Sequence, residues 1–209
     1  TDGRHTIANA LVMRRALTYA RDFGALIAHE TQDADLASTG VMNEGLALVG
    51  GLPGTQYESL ALPGTSTFSN QYMIAGIYQT EIGPIGVIST HFSPMGNNTS
   101  QLQQAQFVIK YIKNKFASIP VIVLGDLNQY PTSKALQAFV AEGFTDSLEW
   151  KEKTYVPGEN PYNDSEFGAE RLDYILYRPQ QLKLVKSSLM FNKNIISDHY
   201  GIKAEFTRH

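Results

Sequence analysis

Val121-Ile-Val-Leu-Gly-Asp-Leu-Asn-Gln-Tyr-Pro-Thr-Ser133 joins a short apolar run directly to a polar turn. Residues 121–124 have the composition of a strand that is buried on both faces. Gly125, Asp126 and Asn128 follow this run at once, and a carboxylate with a carboxamide at a strand end suits a metal or phosphate site. Asp and Asn also begin ordinary turns. The stretch alone leaves both interpretations open, and the rest of the chain decides between them.

The composition is typical of one soluble globular domain. The chain has 209 residues, of which 43% are hydrophobic and 18% charged, enough for a sizeable core. A net charge of −3 gives no strong electrostatic footprint for a polyanion; it does not favour nucleic acid as a partner and does not exclude it. The absence of cysteine excludes disulfides, Cys-ligated zinc and Cys nucleophiles. No apolar run approaches the roughly 20 residues that span a bilayer. The compartment and the presence of a signal peptide stay open.

Hydrophobic periodicity and turn signals predict an alternation of helices, strands and hairpins. Residues 72–79 and 85–90 bracket Glu81-Ile-Gly-Pro84 and predict a hairpin, whereas residues 50–70, rich in Gly, Pro, Ser and Thr, predict loop or edge structure. The predicted helices cover residues 6–22, 100–116 and 133–142, and the other predicted strands cover 25–29, 46–49, 121–124, 172–177 and 201–206. This mixture predicts an α/β (α+β) sandwich with a largely antiparallel or mixed sheet.

Short polar groups lie at the ends of four of these strands. Taken singly, each is more often a turn residue, a surface histidine or, for Asp173, an ion-pair partner of Arg171. Taken together, two histidines, three aspartates and one asparagine are the inventory of a hydrolytic site built on a hard divalent cation. A histidine beside an aspartate suits proton transfer or stabilisation of a developing charge. The residues are His91, Asp126, Asn128, Asp173, Asp198 and His199.

Four motifs occur in an order that resembles the endonuclease/exonuclease/phosphatase superfamily. They are Thr90-His91, Gly125-Asp-Leu-Asn128, Arg171-Leu-Asp-Tyr-Ile175 and Ser197-Asp-His199. That superfamily includes DNase I-like nucleases, abasic-site endonucleases, inositol-phosphate phosphatases and Mg²⁺-dependent neutral sphingomyelinases. The stretch Asn160-Pro-Tyr162 before the third motif resembles the sphingomyelinase branch most. The resemblance covers about residues 45–206 and implies a DNase I-like β-sandwich core flanked by helices.

The resemblance also implies a role for each matching residue. His199 would lie next to the scissile phosphate, oriented by Asp173, and Asp198 would be a metal-proximal carboxylate. Asp126 would position or deprotonate the attacking water. Asn128 would hold a phosphate oxygen, and His91 would be a second group contacting the phosphate. The implied cofactor is Mg²⁺, with Mn²⁺ as an alternative.

The implied substrate is a phosphodiester. The mild acidity favours a phospholipid head group over nucleic acid, because duplex binding draws on several Lys or Arg contacts. Tyr155, Tyr162 and Phe167 are candidates for peripheral membrane contact, with ordinary loop packing as the alternative. A DNase I-like nuclease and a phosphate-binding module without turnover are the other functions left open.

The resemblance breaks in the first 45 residues. The family begins with a strand that carries Asn, then a helix, then a strand ending in Gln-Glu, whose Glu is a principal Mg²⁺ ligand. This chain has no matching Asn strand, so we expect the fold to be incomplete in its N-terminal half. Asp2-Gly-Arg-His-Thr-Ile-Ala-Asn9, Val12-Met-Arg-Arg-Ala-Leu-Thr-Tyr-Ala-Arg21 and Gly40-Val-Met-Asn-Glu-Gly45 instead resemble an internal piece of dihydroorotase. The piece lacks that enzyme's His-x-His metal pair, so dihydroorotase activity is not predicted.

This mismatch leads to the hypothesis of a chimera within one domain, residues 1–209. A dihydroorotase-like helix-strand segment, residues 1–45, would precede a phosphodiesterase portion, residues 46–209. The foreign helix and strand would then occupy the vacated positions, with Glu30 near the place of the missing metal ligand; the alternative is a surface carboxylate. A catalytically impaired recombinant fold is therefore the second functional hypothesis. A sheet without its first strand also exposes an edge, which favours a strand-exchanged homodimer.

Overall fold

The computed structural model describes residues 26–31, 45–50, 54–64, 71–94, 98–158, 160–161, 168–195 and 197–208, the first two as backbone only. The predicted helix over residues 6–22 lies outside the described residues. The described helices are Asn98–Lys115 (α1) and Lys134–Ala141 (α2). The described strands are Leu26–Thr31 (β1), Gly45–Gly50 (β2), Gly54–Ala61 (β3), Tyr72–Thr80 (β4), Gly83–Thr90 (β5), Val121–Asp126 (β6), Thr145–Asp146 (β7), Asp173–Tyr177 (β8), Lys183–Met190 (β9) and Gly201–Thr207 (β10).

Six strands form one mixed sheet in the order β3-β4-β5-β6-β8-β7. Strands β4 and β5 form the predicted hairpin, with Met73 opposite Thr90. Strands β5 and β6 run parallel, with Ser89 opposite Leu124, whereas β8 pairs antiparallel with β6. The mixed sheet expected from the sequence is confirmed.

Strand β6 sends its side chains alternately into two apolar layers, because successive residues of a strand point to opposite faces. Val121 and Val123 are fully buried in the layer that contains residues of both helices. Ile122 and Leu124 lie in the second layer, on the other face of the sheet, with residues of β9 and β10. Burial on both faces explains the unbroken apolar run and holds rigid the polar residues that follow it.

Helix α1 packs on the sheet through a stripe at helical spacing. Ala105, Val108 and Ile112 are buried along it, three and four residues apart. Gln101 and Gln104 are fully buried as well, and Gln101 donates to the carbonyls of Ser93 and Pro94. The helix therefore also fixes the segment that follows His91. Neither described helix is long and apolar enough to cross a membrane.

Two further antiparallel pairs pack against the six-stranded sheet. Strands β1 and β2 pair with Glu30 opposite Leu46, and β2 contacts β4 and β5. Strands β9 and β10 pair with each other, and β10 contacts β8. Strand β9 was not predicted from the sequence, because the apolar residues of Lys183–Met190 come in two adjacent pairs and do not alternate with its polar residues.

The segment predicted as loop or edge structure contains β3, an edge strand of the sheet. Its pairing with β4 shifts register between Thr55 and Glu58, and Gln56 has φ +55°. Such a bulge interrupts the regular row of amides and carbonyls that another chain could pair with. The edge on this side is therefore less open to strand addition than a regular strand.

Candidate active site

The ends of β5 and β6 bring His91, Asp126 and Asn128 together. Because the two strands are parallel, their carboxyl ends meet at the same edge of the sheet. The amide of Phe92 donates to the carbonyl of Asp126 at 2.9 Å, so the two segments stay joined past their last paired residues. The side chains that follow the apolar runs thus start from a fixed backbone.

The backbone at this edge requires particular residues. Gly125 has φ +131°, and a Cβ atom there would lie 1.9 Å from the carbonyl oxygen of Thr90. Only glycine accepts this close approach between neighbouring strands. Asn128 has φ +46°, a left-handed conformation that Asn tolerates better than most residues. The Gly-Asp-Leu-Asn stretch is therefore specified by backbone geometry as well as by chemistry.

Hydrogen bonds fix the side chains of this group. The amide of Asn128 donates to Oδ1 of Asp126 at 2.7 Å. The Nδ2 atom of Asn128 donates to the carbonyl of Phe92 at 3.0 Å and lies 2.9 Å from Nε2 of His91. Nε2 of His91 is also 3.6 Å from Oδ2 of Asp126. Sequence analysis predicted these three residues as site residues, and the structure brings them into contact.

Asp173 and His199 join the group from the other side. Asp173 opens β8 directly opposite Asp126, and cross-strand partners project from the same face of a sheet. Its Oδ2 atom lies 2.8 Å from Nδ1 of His199, which belongs to the segment before β10. The structure thus places Asp173 beside His199, as predicted. The alternative, an ion pair between Asp173 and Arg171, is not formed. Arg171 binds Asp146 instead, with Nη2 2.6 Å from Oδ2.

The surroundings of the site shift the pKa values of Asp126, Asp173 and His199 from their ordinary values. Burial and the nearby Asp173 charge raise the pKa of Asp126 to about 6, although both histidines act in the opposite direction. Burial opposes the charged form of His199, but the Asp173 charge and hydrogen bond raise its pKa to about 10. Burial also works against ionised Asp173, yet His199 and the Thr154 hydroxyl bring its pKa below the usual value. At neutral pH the site therefore holds an imidazolium and a carboxylate able to accept a proton.

The donor set fits a divalent cation. Asp126, Asp173 and His199 each offer one ligand atom, and these atoms lie within 4.8 Å of one another. The partly buried carboxylates of Asp126 and Asp173 are oxygen ligands that such cations take, whereas His199 can be a ligand only when its imidazole is unprotonated. Asp198, predicted as metal-proximal, is not a member of this group; its Oδ1 accepts from the Ser197 hydroxyl at 3.1 Å. Glu30 lies in β1, where the structure describes only the backbone.

Two adjacent residues escaped the sequence analysis as parts of the site. Thr154 is fully buried and contacts the start of β8 through its hydroxyl. The ring of Tyr155 packs against the ring of His199, with centroids 5.0 Å apart. The sequence made Tyr155, Tyr162 and Phe167 candidates for membrane contact. In the structure the ring of Tyr155 packs against His199. Tyr162 and Phe167 lie outside the described residues. A single Thr-Tyr pair among turn residues carries no periodic signal, and only proximity in the fold reveals it.

Arg171 anchors the strand that carries Asp173. Its side chain is fully buried and lies over the Tyr174 ring at 5.0 Å, in addition to its ion pair with Asp146. The Nε and Nη1 atoms of Arg171 have no hydrogen-bond partner among the described residues. The hydroxyl of Tyr174 donates to the carbonyl of Gln129 at 2.6 Å. This buried layer therefore links β8 to the turn that follows Asn128.

Comparison with known proteins agrees with this fold. The family model described as the endonuclease/exonuclease/phosphatase family matches residues 15–199. The human Nocturnin catalytic domain, solved with bound sulfate, superposes with a TM-score of 0.68 at 18% identity, covering 100% of this chain and 78% of that one. A mannosyl-6-phosphatase from Bacteroides thetaiotaomicron superposes with a TM-score of 0.61 at 15% identity, covering 93% and 82%. These likenesses confirm the DNase I-like fold.

A second comparison points to the other resemblance. A dihydroorotase from Geobacter metallireducens is 42% identical to this chain over 45 residues, which are 22% of this chain and 11% of that protein. The chain thus spans about a tenth of this curated relative. The family match begins at residue 15, so it includes most of the 1–45 segment that resembles dihydroorotase.

Proposed function

The chain belongs to the endonuclease/exonuclease/phosphatase family, and from this premise we propose that it hydrolyses phosphoric esters. More narrowly, we propose an Mg²⁺-dependent phosphodiesterase similar to the neutral sphingomyelinases. One observation carries the proposal: the Asp173–His199 pair, joined at 2.8 Å, lies close to the partly buried carboxylate of Asp126. A proton acceptor thus lies opposite a positive charge, which is the arrangement that in-line attack of water on phosphorus requires.

Each side chain has a defined task in this proposal. Asp126, ionised above a pKa of about 6, takes a proton from the water that attacks phosphorus. As the P–O bond to the leaving group breaks, the imidazolium of His199 stabilises the developing negative charge and gives the proton on Nε2 to the departing oxygen, so that an alcohol leaves; Asp173 orients the ring through Nδ1. Asn128 and His91 contact phosphate oxygens.

A bound Mg²⁺ would add Lewis-acid stabilisation of the phosphoryl oxygens. The two carboxylates of Asp126 and Asp173 support a cation at this edge of the sheet. Asp198 and Glu30 are the proposed ligands taken from the family resemblance, and Mn²⁺ is the alternative ion. Glu30→Gln with unchanged dependence of the rate on Mg²⁺ would remove Glu30 from the ligand set.

The proposed substrate is a phospholipid head group, with peripheral contact to the membrane that carries it. The net charge of −3 favours this substrate over duplex nucleic acid. A DNase I-like nuclease is the alternative compatible with the family. Hydrolysis of sphingomyelin in vesicles and of plasmid DNA, measured side by side, separates the two.

The test of the proposed function is hydrolysis of bis(p-nitrophenyl) phosphate and of sphingomyelin, with Mg²⁺ and with chelator. We expect His199→Ala to lower kcat by roughly 10²–10⁴-fold, as loss of a proton-transfer or charge-stabilising group does. Lys203→Ala, an exposed change on β10, is the control and leaves the rate unchanged. Equal rates for wild type and His199→Ala would contradict the proposal.

A catalytically impaired recombinant fold is the second candidate. The 42% identity to a dihydroorotase over 45 residues favours it, because that enzyme belongs to another class. No turnover from a sample that unfolds cooperatively would support this alternative. A strand-exchanged homodimer is a further proposal, and sedimentation that shows only monomer over a wide concentration range would exclude it.

A further inference from the structure

The hydroxyl of Thr154 lies at the centre of the contacts around Asp173. Its Oγ1 atom accepts hydrogen bonds from the amides of Leu172 and Asp173, both at 3.1 Å. The hydroxyl proton is then available to the Asp173 carboxylate. Burial works to raise the pKa of Asp173, whereas His199 and a hydrogen bond from the Thr154 hydroxyl lower it below its ordinary value. One buried hydroxyl therefore contacts both the backbone and the side chain of Asp173.

The same residue also holds the segment that carries His199. The carbonyl of Thr154 accepts from the amide of Tyr200 at 2.7 Å, and the amide of Thr154 donates to Glu170 at 2.9 Å. Tyr155 pairs in both directions with Glu170, at 3.0 and 2.7 Å. Residues 154–155 thus form a short bridge between the segment before β8, which leads to Asp173, and the segment before β10, which contains His199.

The ring of Tyr155 completes the bridge. Its centroid lies 5.0 Å from that of His199, with the planes at 60°. An edge contact of this kind restricts the rotation of the imidazole about its side-chain bonds. Nδ1 of His199 is directed at Asp173, so a ring held in this orientation leaves its other nitrogen for the substrate.

We propose that Thr154 and Tyr155 are positioning residues for the Asp173–His199 pair, Thr154 by fixing the carboxylate and Tyr155 by fixing the imidazole. The inference rests on the proposed function, since it assigns the orientation of that pair to this bridge. A loss of orientation lowers the rate of the chemical step far more than substrate binding, because only a correctly placed imidazolium meets the developing charge.

The test compares Thr154→Val, which is nearly isosteric but has no hydroxyl, with Thr154→Ser, which keeps it. We expect Thr154→Val to lower kcat by roughly 10–100-fold with KM within about threefold, and Thr154→Ser to restore most of the rate. Thr80→Val is the matched control: it removes the bond from the Thr80 hydroxyl to the Gly83 carbonyl, at the far end of β5. We expect no change in kcat there.

The second readout is independent of turnover. The proton on Nδ1 of His199, bonded to the Asp173 carboxylate, gives a far-downfield proton NMR resonance in the metal-free protein. We expect this resonance to broaden or shift upfield in Thr154→Val and to persist in Thr154→Ser and Thr80→Val. An NMR effect in a protein without phosphodiesterase activity would refute the proposed function and leave the positioning role intact.

Tyr155 provides a route if Thr154→Val does not fold. Tyr155→Phe keeps the ring and should retain both the His199 resonance and the rate. Tyr155→Leu should lose the resonance while the fold, monitored by circular dichroism, is unchanged. A Thr154→Val protein with native resonance and native kcat would overturn the role of Thr154. The same outcome for Tyr155→Leu would overturn the role of Tyr155.

Discussion

The two halves of the candidate site are held in place by different means. The strand-end half, His91, Asp126 and Asn128, is fixed by the ends of two parallel strands and by backbone conformations at Gly125 and Asn128. The loop half, Asp173 and His199, is fixed by side-chain contacts from residues 154–155 and by a buried ion pair beneath β8. One half follows from local sequence, and the other depends on contacts between distant segments.

The difference predicts where each half is vulnerable. Changes to backbone conformation should damage the strand-end half, because its side chains have little freedom relative to the strand. Changes to buried polar partners should damage the loop half, because those partners fix the side chains of Asp173 and His199 beyond what the pairing of β8 with β6 provides.

The largest effect is expected from the ion pair between Arg171, which is fully buried, and Asp146, which is partly buried. Arg171→Leu leaves Asp146 beside the core without its counter-charge, so the free energy of unfolding should fall by about 3–5 kcal/mol. Arg171→Leu combined with Asp146→Leu should cost less than the sum of the two single changes. The free energy of unfolding of the two single variants and of the double variant is measured by urea denaturation and compared with that of the wild type.

The exposed pair of Lys113 and Glu142, joined at 2.6 Å, is the control for this prediction. Lys113→Ala should cost at most about 1 kcal/mol, since surface pairs contribute little. If Arg171→Leu costs no more than Lys113→Ala, the loop half does not depend on a buried anchor, and the contrast between the halves is lost.

Gly125→Ala tests the backbone support of the strand-end half. Its Cβ atom would lie 1.9 Å from the Thr90 carbonyl oxygen, at φ +131°, so strands β5 and β6 would have to separate. We expect a loss of about 2–4 kcal/mol in the free energy of unfolding and a fall in activity. Gly168→Ala is the matched control, because a Cβ atom at Gly168 would meet nothing within 4 Å and should leave the free energy of unfolding nearly unchanged. A Gly125→Ala protein with the melting temperature of the wild type would show that strands β5 and β6 tolerate the displacement.

Asp126→Asn should separate function from stability within the strand-end half. The pKa of Asp126 in the folded protein, about 6, is above its ordinary value of 3.8. Ionised Asp126 therefore opposes folding, fully above pH 6 and not at all below pH 3.8. In the metal-free protein we expect Asp126→Asn to raise the free energy of unfolding by about 1–3 kcal/mol at pH 8 and to leave it near the wild-type value at pH 3.5.

The same variant should lose phosphodiesterase activity. Chemical denaturation at the two pH values, with chelator present, gives the stability difference. A stability gain that is equal at both pH values would mean that the charge of Asp126 is not its cause.

The sequence predicted much of this arrangement because apolar runs mark strands and polar residues mark their ends. The β4–β5 hairpin, strand β6, both described helices and strand β10 follow from periodicity and turn residues. The parallel ends of β5 and β6 then make His91, Asp126 and Asn128 neighbours. Asp173 joins them because the strand that it opens returns beside β6.

The remaining features depend on contacts that no local pattern encodes. Strand β9 carries two pairs of adjacent apolar residues in place of an alternation, and its partner is β10. Arg171 was interpreted as a neighbour of Asp173, but its ion pair is with Asp146, 25 residues away in the chain. Thr154 and Tyr155 act through a bridge between two distant segments, which only the folded chain brings together.

Asn128 provides the smallest and sharpest test of the contrast. Both Asn128→Ala and Asn128→Gly remove the Nδ2 contacts to His91 and to the Phe92 carbonyl. They differ in the backbone, because glycine adopts φ +46° freely and alanine does not. We therefore expect Asn128→Ala to be less stable than Asn128→Gly by about 1 kcal/mol, measured by urea unfolding. Equal stabilities would mean that the turn relaxes once the side-chain contacts are lost, and the strand-end half would then be held by its hydrogen bonds, as the loop half is.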